Sequence, residues 1–232
     1  MIKCLRRNSC RHPSRFGLFM RNLRRSTSGA ALVEFAITLP VLSVMGMYGI
    51  EIAYMSSVNM QISQMALELA DNASRLEQTN NNTVAPTVTE ADIDSIMTGV
   101  IKAGENFQFT QNGRVILSSL EKDPATGKQF IHWQRCSGSL AVASAYGNDT
   151  NSNGLNGGTL TGMGSGSTKA IASSGIAVMF VELTYDYKGI FGTLFVKNMR
   201  FKQEASYIVR DARDLRASNV SGVTGGGGHS QC

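Results

Sequence analysis

Residues 29–50 read GAALVEFAITLPVLSVMGMYGI, an apolar run interrupted by one carboxylate, Glu34. As a helix, 22 residues rising ~1.5 Å each span roughly 33 Å, about one hydrocarbon thickness. The run therefore predicts a transmembrane helix over about residues 30–50. A core helix of a soluble protein is the alternative, but such helices rarely stay apolar on every face over this length. Signal peptides have shorter apolar cores followed by a small-residue cleavage site, which this stretch lacks.

The charge pattern orients that span. The formal charge is +5, yet eight of the 22 basic residues fall within 1–28, where no Asp or Glu occurs. The remaining 14 basic residues face 17 acidic ones, a net of −3. Arginine clustered just before a span is the positive-inside signal, which predicts a cytoplasmic N-terminus and a translocated remainder. The same position argues against nucleic-acid binding, although clustered Arg can neutralise phosphates. Arg24-Arg25 resembles a twin-arginine export signal only weakly, because the polar Ser26-Thr27-Ser28 follows. By this topology Cys4 and Cys10 lie on the reducing side. Cys136 and Cys232 lie where disulfides persist, either bridged to each other or as free or intermolecular thiols.

Beyond the span the helical period continues. Met55, Val58, Ile62, Met65, Leu69 and Leu76 follow three- and four-residue steps with Asn72 as the one polar entry, so the helix is predicted to run from Ala30 to about Glu77 with an amphipathic second half. That seam can rest on a globular domain or on a neighbouring helix. Pro40 is expected to kink the helix, having no N–H for the ladder. Residues 78–90 contain Pro86 and read as a linker. A second helix follows, capped by Thr89 with Asp92 in a variant capping box, striped by Ile93, Ile96, Met97, Val100 and Ile101, and closed by Gly104.

The period then shortens to two. Phe107 and Phe109 precede Asn112-Gly113, a hairpin signal, and RVILSSL returns. DPATGK at 123–128 predicts a turn and QFIHWQRC at 129–136 a third strand. IAVMFVELTYDY at 176–187 and MRFKQEASYIVR at 199–210 read as two further strands. Residues 147–168 hold seven glycines and almost no large apolar side chains, predicting a mobile loop. The fold class is α+β: a long N-terminal transmembrane helix, a short second helix and an antiparallel sheet of about five strands. The domains are a basic cytoplasmic leader at 1–29, the helix at 30–77, an α+β domain at 78–216 and a flexible tail at 217–232.

Catalytic chemistry finds little support in the pattern. His12, His132 and His229 share no metal-ligand spacing with each other or with paired Cys. GMGSGST lacks the Lys-Ser/Thr ending of a phosphate loop, and no Ser lies in G-x-S-x-G. Asp186, between two tyrosines, reads as a solvent-facing carboxylate on a strand. No enzyme activity and no cofactor are expected.

Glu34 is the residue that demands explanation, because a carboxylate at mid-bilayer costs about 2.5 kcal/mol or more on insertion scales. It lies only ~7 Å beyond Gly29 along a helix, shallow enough for partial hydration. Gly29-Ala30-Ala31-Leu32-Val33-Glu34-Phe35 resembles the prepilin peptidase site of type IV pilin-like proteins, with glycine ending the leader and glutamate fifth in the mature chain. More closely, GAALVEFAITLPVL with GIEIAYMSSVNMQISQMALELA is similar to the TadE-like proteins of tight-adherence (Tad/Flp) pilus systems. Pro40, Glu51 and Tyr54 add to the match, and VELTYDY and EASYIVR are similar to that family's C-terminal strands. Phe35 stands where Flp-type prepilins usually carry Tyr.

The resemblance implies a non-enzymatic minor pilin or pseudopilin in the bacterial inner membrane, its C-terminal domain periplasmic, with a place in the extracellular pilus as a further option. It implies peptidase processing at Gly29 and Ala30, and a registry role for Glu34 in the membrane. Cleavage would leave an ammonium on Ala30, one helical turn from Glu34 or beside a neighbour's, able to compensate the carboxylate. Partners implied are the lipid bilayer, other pilin subunits, the assembly platform and a prepilin peptidase, with no nucleic acid. Small residues Ala30, Ala31, Gly46 and Gly49 let helix backbones approach in lipid, and the seam from Met55 through Val58, Ile62, Met65 and Leu69 would continue that contact. The rival reading is a membrane-anchored periplasmic binding module using the 137–170 loop.

Overall fold

The computed structural model describes residues 27–76, 87–210, 213, 215, 223–225 and 230–232. Residues 1–26 of the basic leader, with Cys4, Cys10 and His12, most of the 78–90 linker, and the tail segments 217–222 and 226–229 lie outside the described residues. The first helix, α1, runs Thr27–Ser74, 48 residues with Pro40 inside it. The chain divides into two compact units at Ile50/Glu51, within this helix.

In the first unit every residue from Gly29 to Ile50 is exposed except Met47, which is half-buried. Large apolar side chains such as Leu32, Phe35 and Leu42 have no protein to cover them; Leu32 is 70% exposed. Water is a poor solvent for such a surface and lipid a good one.

The second unit opens with the rest of α1, whose Val58, Ile62, Met65, Ala66, Leu69, Ala70 and Ala73 are all buried. These residues enter a core built on the inner face of a sheet. After a two-residue strand β1 (Val88–Thr89) comes α2 (Glu90–Ala103). Its capping box is complete: Asp92 N–H donates to Thr89 Oγ1 at 3.2 Å, and Thr89 N–H to Asp92 Oδ2 at 3.2 Å. Ile93, Met97 and Val100 form its buried stripe and Gly104 its C-cap, as the sequence predicts.

The sheet has four antiparallel strands in the order β3-β2-β4-β5: β2 is Gly113–Lys122, β3 Gln129–Ser137, β4 Val178–Asp186 and β5 Arg200–Ile208. The fifth strand expected at Phe107 and Phe109 is absent. Residues Glu105–Phe107 form a 3-10 turn, and α3 (Phe109–Asn112) follows directly. Gln108 between them is left-handed at φ 56°, which lets both phenylalanines turn into the core although two residues apart. Gly113 is not a hairpin residue but extended, φ −122°, at the start of β2. Its glycine is required because a β-carbon there would lie 2.3 Å from the Phe109 ring. Period-two apolar spacing and Asn-Gly thus came from packing rather than from a hairpin.

Central β4 is buried along both faces, as a covered strand must be. Met179, Val181, Leu183 and Tyr185 face the helices; Val178 and Phe180 face the opposite way into a second cluster with Leu120, Ile131, Met163 and Ala172. On β3 the pairing passes from Trp133 opposite Ser119 to Ile131 opposite Leu120, leaving His132 as the extra residue. This bulge explains why Trp133 and Ile131, equal in parity, join different cores.

The outer cluster is roofed by the long connection from β3 to β4, residues 138–177. Its glycine-rich part has no strand beyond isolated bridges, yet Met163 in it is fully buried. Gln129 fixes Ala172 as a strand neighbour would, its amide donating to Ala172 O at 2.8 Å and accepting from Ala172 N at 2.7 Å.

The C-terminus returns to the domain. β6 (Val223–Thr224) pairs in parallel with β1, and Gln231 bridges Arg135 on the free edge of β3. Cys136 and Cys232 are disulfide-bonded, closing a separation of 96 residues. A loop of that size removes roughly 4–5 kcal/mol of unfolded-chain entropy in the chain-entropy account. Arg213 donates to Ala73 O at 3.1 Å and Leu76 O at 2.9 Å, supplying the C-terminal cation that α1 lacks in its own last turn.

Candidate functional site

Gly29 and Ala30 sit near the start of α1, both exposed, and Glu34 lies one turn further along an exposed helix surface. Among the described residues none forms a hydrogen bond or ion pair with Glu34. Its neighbours Leu32, Val33, Phe35 and Ile37 are large, apolar and more than half exposed. A β-carbon added at Gly46 or Gly49 would meet nothing within 4 Å, so both glycines present open backbone on the helix surface. The exposed surface of residues 29–50 is thus an apolar helix with small-residue gaps and one carboxylate that has no partner among the described residues.

The expected helix seam behaves differently. Val58, Ile62, Met65 and Leu69 are buried in the core of their own domain, and Met55 is packed against it. The seam therefore does not continue a contact with a neighbouring helix, because the four-stranded sheet and α2 already cover it. The apolar period in the sequence specifies that a face is buried, not by what.

At the first residue of the second unit a second carboxylate is fully enclosed. Glu51 is 1% exposed, accepts from the Tyr187 hydroxyl at 2.7 Å and from the Phe191 backbone N–H at 3.2 Å. Burial, followed by the bond to Glu51, raises the Tyr187 hydroxyl above the usual phenol range, so it stays a donor at neutral pH. Tyr54 packs against Tyr187 with ring centroids 6.1 Å apart. Gly189 comes so close that a β-carbon would stand 2.4 Å from Glu51 Oε1. In the sequence Glu51 and Tyr54 are marks of resemblance only; a charged residue directly after an apolar run is the available signal for a structural anchor.

A third acidic cluster holds the roof of the sheet. Glu182 and Glu204 face each other across β4 and β5. Glu182 accepts from Ser144 Oγ and from Ala145 N–H at 2.9 Å. Glu204 accepts from the Tyr146 hydroxyl at 2.7 Å and from Ser165 N–H at 2.8 Å. Burial is the main reason the Glu182 carboxyl is raised above its ordinary range, with the Glu204 charge adding to it. These bonds join residues distant in sequence, and nothing in the glycine-rich stretch announces them.

Asp186 is the half-exposed strand carboxylate expected, paired with Arg200, whose bond holds it below its usual range. His132 Nδ1 lies 2.9 Å from Glu121 Oε2, and Ser119 Oγ donates to Glu121 Oε1 at 2.9 Å. The serine proton points at the carboxylate rather than at the imidazole, the reverse of a nucleophile activated by histidine. Among the described residues no group of three or more His, Cys, Asp or Glu is placed to hold a metal ion.

Among the described residues α1 is the one helix long and apolar enough to cross a membrane. Residues 29–71 match the family model described as TadE-like protein, so the likeness read from the N-terminal sequence holds over that segment. No curated protein and no solved structure matches the chain.

Proposed function

We propose that this chain is a non-enzymatic, TadE-like minor pilin or pseudopilin that assembles Flp-type adhesive pili by helix-to-helix docking in the bacterial inner membrane. The observation that carries the reading is the contrast within the matched segment: residues 29–50 expose apolar side chains on all faces, with Glu34 among them and without a partner among the described residues. Single-pass anchoring accounts for the apolar surface. A second pilin helix accounts for the carboxylate, because an amine in the apolar layer would answer its charge.

In this reading the basic leader stays in the cytoplasm and the α+β domain faces the periplasm. A prepilin peptidase cuts between Gly29 and Ala30, and the new ammonium of Ala30 pairs with Glu34 of the same or a neighbouring helix. The domain contributes surface, not chemistry, toward the other pilin subunits and the assembly platform.

Glu34→Gln tests the reading. The side chain keeps its shape and loses its charge, so membrane insertion persists while piliation falls sharply, scored by electron microscopy and by pilin recovered in the sheared fraction. Normal piliation in that variant would overturn the registry role and favour the anchored binding module instead. Sequencing the mature N-terminus separates processing from assembly: a chain beginning at Met1 in cells with active peptidase removes cleavage alone.

A further inference from the structure

The connection between β4 and β5, residues 187–199, reads YKGIFGTLFVKNM; Tyr187 is buried and Val196 packs on the core, while Ile190 and Leu194 are exposed. Ile190 is 51% exposed and Leu194 68%, and the half-buried Phe191 and Phe195 pack edge to face at 5.8 Å between centroids. Lys188 and Lys197 flank the group and are exposed. Exposed aliphatic residues scattered singly need no account, but a tip built of them and bracketed by cations does.

The position of this tip follows from Glu51. Phe191 N–H and the Tyr187 hydroxyl both donate to that carboxylate, and Gly189 is in van der Waals proximity to it. Glu51 is the residue directly after the exposed apolar run 29–50, whose ~33 Å length matches one hydrocarbon layer. Through these bonds the loop is tied to the residue that directly follows the run in the chain.

We propose that the 188–197 loop is a second membrane contact, which seats Ile190 and Leu194 in the interfacial layer of the bilayer while Lys188 and Lys197 meet anionic headgroups. The chemistry is that of interfacial anchors: aliphatic and aromatic groups enter the acyl boundary, and cations gain from negative surface potential within a Debye length. The inference rests on the single-pass reading of residues 29–50 and adds a contact that reading does not require.

The test uses the full chain with Cys4→Ser and Cys10→Ser, keeping the disulfide, reconstituted at low protein density in phosphatidylcholine vesicles containing phosphatidylglycerol. Spin labels are placed singly at Leu194→Cys, Leu155→Cys and Leu42→Cys, and collision with oxygen is compared with collision with a water-soluble nickel chelate. The expected oxygen-to-chelate ratio is several-fold higher at Leu194 than at Leu155 and highest at Leu42. A lipid-like Leu42 with a Leu194 ratio equal to that of Leu155 overturns the loop contact and leaves the span intact. A water-like Leu42 overturns both. Lys188→Glu with Lys197→Glu lowers the ratio at Leu194 and not at Leu42; an unchanged Leu194 ratio overturns the headgroup assignment of the lysines.

Discussion

Two halves of one helix meet different solvents. From Gly29 to Ile50, α1 exposes nearly every side chain; from Val58 to Ala73 it buries a stripe at three- and four-residue spacing in its own domain. The two glutamates follow the same division. Among the described residues Glu34 has no partner and lies between apolar neighbours, while Glu51 has a hydroxyl and an amide donor and is enclosed. The difference teaches that hydropathy along a helix specifies what must be covered, whereas the surrounding protein decides whether the cover is lipid, a partner or the chain itself.

The sharpest way to break this comparison is to make one substitution in both halves. Leu69→Ala removes a fully buried side chain and leaves a cavity, which destabilises the domain by about 3 kcal/mol. Leu42→Ala truncates a side chain that is 67% exposed and should leave domain unfolding within about 0.5 kcal/mol of wild type. Denaturant unfolding of the full chain in detergent micelles, followed by the near-ultraviolet signal of Trp133, checks both. Equal losses would mean that residues 29–50 are packed against protein after all.

The same division shows what the sequence could and could not convey. The span was legible because length and apolarity are local facts. So was α2, since Thr89, Asp92 and Gly104 act within a few residues of themselves. The pair Phe107 and Phe109 misled because two competing geometries give the same spacing. Which one wins is decided by left-handed Gln108 and by the ring of Phe109 against Gly113. The roof over the outer face was not legible at all, for the connection 138–177 is bonded at Ala145, Ser165 and Ala172 to Glu182, Glu204 and Gln129, each contributed by a distant strand. The seam lay between these cases: its period was correct, but its partner was the sheet.

A second test sharpens the comparison at the two carboxylates. Glu51→Leu leaves the Tyr187 hydroxyl and the Phe191 N–H without their acceptor, which destabilises the domain by about 1–2 kcal/mol by the usual penalty for buried orphan donors. Glu34→Leu replaces an exposed carboxylate by an apolar group and should not lower the unfolding midpoint. Measured under the same conditions as the leucine pair, a Glu51→Leu variant as stable as wild type would show that the enclosure of Glu51 is incidental.

The smallest expected effect lies on the outer face, where a third carboxylate is enclosed by the roof rather than by the helix. Burial raises the Glu182 carboxyl above its ordinary value of 4.5, outweighing the bonds from Ser144 and Ala145 that favour the charged form. Glu204 opposite it pushes the same way, and Lys202 on β5 pushes against. The folded domain thus holds that proton more tightly than the unfolded chain. The stabilisation is present below pH 4.5 and lost as pH rises through the raised value. Glu182→Gln keeps one acceptor oxygen for the Ala145 N–H, can donate its amide to the Ser144 hydroxyl oxygen, and has no charge to desolvate. Its stability relative to wild type should therefore improve with rising pH across that window, by at most about 1.4 kcal/mol per pH unit. Paired unfolding curves from mildly acid to neutral pH decide the matter. A constant difference would place Glu182 in a more hydrated setting than the roof allows, and a difference of opposite slope would mean that its hydrogen bonds, not its burial, govern the charge.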